Sequence, residues 1–84
     1  MDSEELKNLC INRLIYMLNE KDESDYSMSL ALGKDKSYIN KVTNGNLFPT
    51  LLSWNDICEY LEIDLCDFLN FNDHSPNDEL FTAK

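Results

Sequence analysis

Between Gly33 and Asn46 the chain gathers the side chains best suited to binding chemistry. Lys34, Lys36 and Lys41 stand against one acid, Asp35, so this stretch carries +2 in a chain whose net charge is −9. Ammonium groups attract phosphates, and much of the affinity of a nucleic-acid binder comes from such pairs. Interleaved with them are Ser37, Tyr38, Asn40 and Asn44. An Asn carries a donor beside an acceptor and fits the N6/N7 edge of adenine, while a Lys can donate to O6/N7 of guanine. The competing reading is that these Lys and Asn residues merely solubilise an exposed helix.

Other chemistries find less support. Asp73-His74-Ser75 holds the letters of a catalytic triad, but the three are consecutive in a polar, turn-rich segment. A triad needs a base within hydrogen-bond reach of the nucleophile and a third group behind the base. The acids Asp56, Glu59, Glu62 and Asp67 read as a solvated face. There is no glycine-rich phosphate loop and no dinucleotide fingerprint, so no cofactor and no enzymatic activity are expected. Three cysteines (Cys10, Cys58, Cys66) and one histidine, with no C-x-x-C, make neither a disulfide framework nor a ready zinc site. Cys10 and Cys58 are expected as small apolar core residues.

The 84 residues suffice for one small domain, and 43% apolar content is enough for a core and too much for a disordered chain. Two Gly and two Pro suit an all-α fold with short turns. No apolar run approaches a membrane span, and the acidic start lacks the features of a signal peptide. A cytoplasmic protein without a membrane partner is therefore expected. The acidic balance argues against a plain nucleic-acid binder, although the charge distribution matters more than its sum.

The elements that must position the Gly33–Asn46 side chains follow from periodicity and caps. Residues 2–19 read as a first helix, with Asp2 and Glu5 at capping-box spacing. Leu6, Cys10, Leu14 and Met17 form its stripe, flanked by Ile11, Ile15 and Leu18. Arg13 falls near the edge of that face, in a structural role or within reach of a polyanion. Residues 20–23 form a charged connector. Ser24 can cap a second helix, in which Met28 and Leu32 lie four apart and Ser29 leaves room for a crossing helix. Gly33 stands where a helix stops with positive φ. Asp35 is a second capping residue, Ile39 and Val42 give the third helix a buried face, and Asn44-Gly45 ends it.

A loop over 44–50 should tuck Leu47 or Phe48 inward. Thr50 caps a fourth helix over 51–61, with Trp54, Ile57, Cys58 and Leu61 at i, i+3, i+4, i+7. Asp64 caps a fifth, with Leu65, Phe68 and Leu69 inward, and Phe71 a further candidate for that side. The domain is expected over 1–69, with a tail over 70–84. Leu80 and Phe81 in that tail leave three readings open: packed back, in contact with a second subunit, or loose.

Two short helices and a tight turn at about 24–44 form a helix-turn-helix pattern, and the chain resembles the lambda-repressor and Cro-like (XRE-type) family of bacterial and phage DNA-binding domains. The match runs through Met28-Ser29 (usually Leu-Ala), Gly33, Ile39-Asn40 (usually Ile-Ser), Gly45 and Pro49. It continues through Trp54, Ile57, Cys58, Leu61, Ile63, Asp64, Phe68 and Leu69, covering about residues 4–69. Asp25 stands where the family often has a Gln that helps hold the DNA backbone, and Thr43 where it often has a Glu.

The resemblance implies a compact five-helix domain whose third helix enters the major groove. Lys36, Ser37 and Asn40 would then read bases, and Lys34, Lys41 and Asn44 would meet phosphates. Tyr38 would touch a thymine methyl or a phosphate, or pack along the helix. The expected function is a sequence-specific transcriptional regulator, with repression favoured, acting on a double-stranded DNA operator as a homodimer through Phe71, Leu80 and Phe81. The alternative is an acidic protein-interaction module on the same fold, such as an antitoxin-like subunit with a protein partner.

Overall fold

A computed structural model describes residues 2–71. Its regular structure is entirely helical: α1 (Ser3–Glu20), α2 (Asp25–Ala31), α3 (Tyr38–Thr43), α4 (Leu51–Tyr60) and α5 (Leu65–Phe68). No strand occurs among the described residues. No helix among them is long and apolar enough to cross a membrane. The expectations placed on residues 72–84, including Leu80, Phe81 and the Asp73-His74-Ser75 run, lie outside the described residues.

Helix starts follow their capping residues closely. The Asp2 carboxylate accepts from the Glu5 N–H at 2.8 Å, and the Glu5 carboxylate accepts from the Asp2 N–H at 3.0 Å, closing the capping box. Ser24 Oγ accepts from Ser27 N at 3.0 Å, and Thr50 Oγ1 from Ser53 N at 3.2 Å. Two starts differ from expectation. Asp64 holds the cap position of α5 by backbone alone, with no side-chain bond. Helix α3 begins only at Tyr38, later than an Asp35 cap implies. The Asp35 carboxylate instead accepts from the Ser37 N–H at 3.1 Å and from its hydroxyl. This closes a local turn that delivers the chain to α3, the usual competition of a short acid with helical geometry.

Four helices end alike. After α1, Asp22 N bonds Asn19 O and Glu23 N bonds Leu18 O, with Asp22 at φ 54°. The same paired bonds close α2 at Gly33 (φ 74°), α3 at Gly45 (φ 80°) and α4 at Glu62 (φ 63°). Each satisfies two orphan carbonyls through one left-handed residue.

All five helices contribute to the core, and α2 lies against α3. Leu14, Met28, Ile39, Val42, Ile57, Cys58 and Phe68 are fully buried, and Cys10, Leu18, Trp54 and Leu61 nearly so. All four periodic residues of α4 are inward, as their spacing predicts. On α1 the inward set is Cys10, Ile11, Leu14 and Leu18, while Leu6 is 42% exposed and Ile15 38%. The apolar arc of α1 is wider than the surface it covers: Leu6 overhangs the first turn, and Ile15 lines a shallow groove toward α3. Leu47 packs on the core and Phe48 lies edge-on to Trp54, with ring centroids 5.5 Å apart. Trp54 also stacks at a tilt on Phe68, at 5.3 Å.

Two polar clasps close the outside. Arg13 Nη1 donates to Phe68 O at 3.0 Å and Asp67 O at 3.4 Å, and its guanidinium lies 4.9 Å from the Phe71 ring centre. This is the structural role open to Arg13: a cation on the last carbonyls of a four-residue helix too short to hold itself. Across the molecule, the Tyr60 hydroxyl donates to Glu23 Oε2 at 2.7 Å, tying the end of α4 to the α1–α2 connection. The neighbouring carboxylate pushes the Tyr60 pKa up.

Candidate nucleic-acid interface

The surface singled out by the sequence begins with how α3 is held. Its cap residue, Ser37, makes no capping bond, so the free N–H groups of its first turn need acceptors elsewhere. One comes from α2. The fully buried Ser29 donates its hydroxyl proton to Asp25 O at 2.7 Å and accepts from Ile39 N at 2.9 Å. One small side chain thus satisfies one N–H of the first turn of α3, that of Ile39, and ties α2 to it. The sequence reading gave Ser29 only the role of leaving space; its hydroxyl does more, and only the distance between the helices reveals it.

On that frame Lys36, Asn40, Lys41 and Asn44 are exposed, as is Lys34. None of these lysines makes an ion pair among the described residues. The Lys34 ammonium lies 5.3 Å from the Tyr38 ring centre, a cation–π contact that leaves its other faces in water. Tyr38 is half-buried and packs against the core. Ser37 is half-buried and its hydroxyl proton is given to Asp35, so its donor is already used. That bond, with the Ser37 N–H, holds the Asp35 carboxyl below the usual carboxylate range.

The Asn40 side chain is also engaged. Its Nδ2 donates to Asp25 Oδ2 at 3.3 Å, and its Oδ1 accepts from Asn44 Nδ2 at 3.1 Å. The orientation is dictated by charge: an amide oxygen turned toward the Asp25 carboxylate would be repelled. The chain Asn44–Asn40–Asp25 holds the amide in one plane at the solvent-facing side of α3. It leaves the amide one further donor hydrogen and one further acceptor lone pair, and it brings one negative charge to the edge of the basic stretch. The acid in place of Gln at 25 marks this contact in the sequence, and a carboxylate from Asp25 beside Asn40 is the arrangement that counts against base reading there; one such carboxylate stands in place.

Beside this surface, two shallow grooves separate α1 from the end of α3. They share Ile15, Thr43 and Asn44, and Asn8, Asn12 and Asn19 extend them along α1. They are open surfaces without a cluster of catalytic groups. Among the described residues no group of three or more His, Cys, Asp or Glu side chains could hold a metal ion. Cys10 and Cys58 are buried and Cys66 is exposed. Burial, with Cys10 and Asp64 adding to it, pushes the Cys58 thiol up to about 11, far from a reactive thiolate at neutral pH. Comparison with protein-family models, curated proteins and solved structures finds no match for this chain.

Proposed function

We propose that the protein is a sequence-specific DNA-binding regulator, with α2 and α3 acting as a helix-turn-helix and α3 entering the major groove. The observation that carries this reading is the joint exposure of Lys36, Asn40, Lys41 and Asn44 on the one stretch of net positive charge. In the proposed complex Asn40 reads a base edge, held flat by Asn44, and Lys36 reaches a second base. Lys34, Lys41 and Asn44 meet phosphates and set the register. Ser37 and Tyr38 support the turn and the helix instead of reading bases. Regulation follows from occupying an operator, with repression as the simplest outcome.

The test is binding to duplexes selected from a random pool, followed by fluorescence anisotropy over a salt series. A common motif should emerge, with log K falling linearly in log salt by about 0.9 per phosphate contact. Retention of no duplex even at low salt would overturn the proposal. A second reading, an acidic protein-interaction module, is favoured by the Asp25–Asn40 bond and the net charge of −9. It predicts capture of a basic protein surface that survives Lys36→Ala and Asn40→Ala.

A further inference from the structure

We propose that Asp25 is a positioning residue that sets base specificity: acting through Asn40, it makes the α3 surface take adenine and reject guanine. This role rests on the DNA-binding reading above and names the base that the surface takes. The carboxylate that weighs against base reading also decides which base can be read.

A side-chain amide has two donor hydrogens and two acceptor lone pairs. Asp25 Oδ2 takes one hydrogen of Asn40 at 3.3 Å, and Asn44 Nδ2 fills one lone pair at 3.1 Å. One donor and one acceptor are left, on an exposed residue. In the major groove adenine offers the complement, an N7 acceptor beside the N6 amino donor. Guanine offers two acceptors, N7 and O6, for which Asn40 has a single hydrogen. Cytosine and thymine each present one hydrogen-bonding group there, so neither engages both halves of the amide. Turning the amide over would set its oxygen against the carboxylate, where the two repel. Charge acts in the same direction as the donor count. A base atom bonded to Asn40 Nδ2 lies within about 6 Å of Asp25 Oδ2, one hydrogen-bond length further on. A negative charge so close disfavours the two-acceptor edge of guanine and favours an edge that carries an amino group.

Duplexes are selected from a random pool with the wild-type chain and with Asn40→Ala, Asp25→Asn, Asp25→Ala and Asn44→Ala. The position at which the wild-type and Asn40→Ala motifs differ is the one Asn40 reads. Anisotropy titration should show the wild type preferring adenine to guanine at that position by about tenfold or more. Asp25→Asn and Asp25→Ala each free the amide to turn and remove the charge. Both should bind the guanine duplex more tightly and cut the adenine preference by about threefold or more, with preferences at other positions unchanged. A carboxylate that only repels phosphates would raise both duplexes equally and leave the ratio where it was. Asn44→Ala should keep the ratio, since Asp25 still fixes the amide. A base other than adenine at the Asn40 position overturns this role and leaves the DNA-binding reading intact. So does an adenine preference that neither Asp25 variant moves, or a motif that Asn40→Ala does not change. Binding to no duplex overturns both.

Discussion

The hydroxyl of Ser29 serves two backbone groups at once, the carbonyl of Asp25 and the N–H of Ile39. Ser29→Ala strips the acceptor from a buried N–H, and such a loss costs about 1–3 kcal/mol. Urea unfolding followed through Trp54, the single tryptophan, should show that loss as a lower midpoint at unchanged slope. At the same scale, Asp25 stands beside the amide proposed to read a base. Asp25→Asn keeps a polar partner for Asn40 and removes the charge, so anisotropy titration should show duplex affinity rising several-fold. Unchanged or weaker binding would count against Asp25 as a brake. The exposure of Lys36, Asn40 and Lys41 was legible in the sequence, because the apolar positions Ile39 and Val42 fix which face turns inward. The bond from Asn40 to Asp25 was marked only by the acid itself, because Asp25 precedes Asn40 by fifteen residues and only the packing of α2 on α3 makes them neighbours.

Helix boundaries show which local signals carry information and which do not. Asp2, Ser24 and Thr50 announce their helices because each cap bond spans three residues of chain. Gly33 and Gly45 likewise announce the ends of α2 and α3. The matching left-handed positions at Asp22 and Glu62 carry no such mark, since an acid there gives no sign of positive φ. A non-glycine residue in this region gives up roughly 1 kcal/mol, partly offset by the entropy a glycine loses on folding. Glu62→Gly should therefore raise stability by up to about 1 kcal/mol. Gly33→Ala should lower it by about 1 kcal/mol through backbone strain alone, because an added Cβ at Gly33 meets nothing within 4 Å. Thermal unfolding of the two variants should move in opposite directions. The wide apolar arc of α1 shows the limit of periodicity: it predicts a face, but the neighbours decide that Leu6 and Ile15 remain outside.

At the scale of the molecule, burial of Cys58 links stability to alkaline pH. Its thiol is pushed from 9.0 to about 11, so below pH 9 it is protonated both folded and unfolded, and its contribution is whole. As pH rises from 9 toward 11 the unfolded chain releases the proton first, and stability falls. The loss is on the order of 2 kcal/mol, and a pH series of unfolding midpoints should fall less steeply over that window in Cys58→Ala, with Cys10 and Tyr60, whose pKa values are also raised, carrying the remaining slope. Closure of the fold depends on a different group. The guanidinium of Arg13, reaching from α1 to the carbonyls of Asp67 and Phe68, joins the first and last described helices. A tensile load applied through residues 2 and 71 would meet this latch first and then draw the buried ring of Phe68 from the core. The earliest extension step would then be the peeling of α5, at a force that Arg13→Ala lowers.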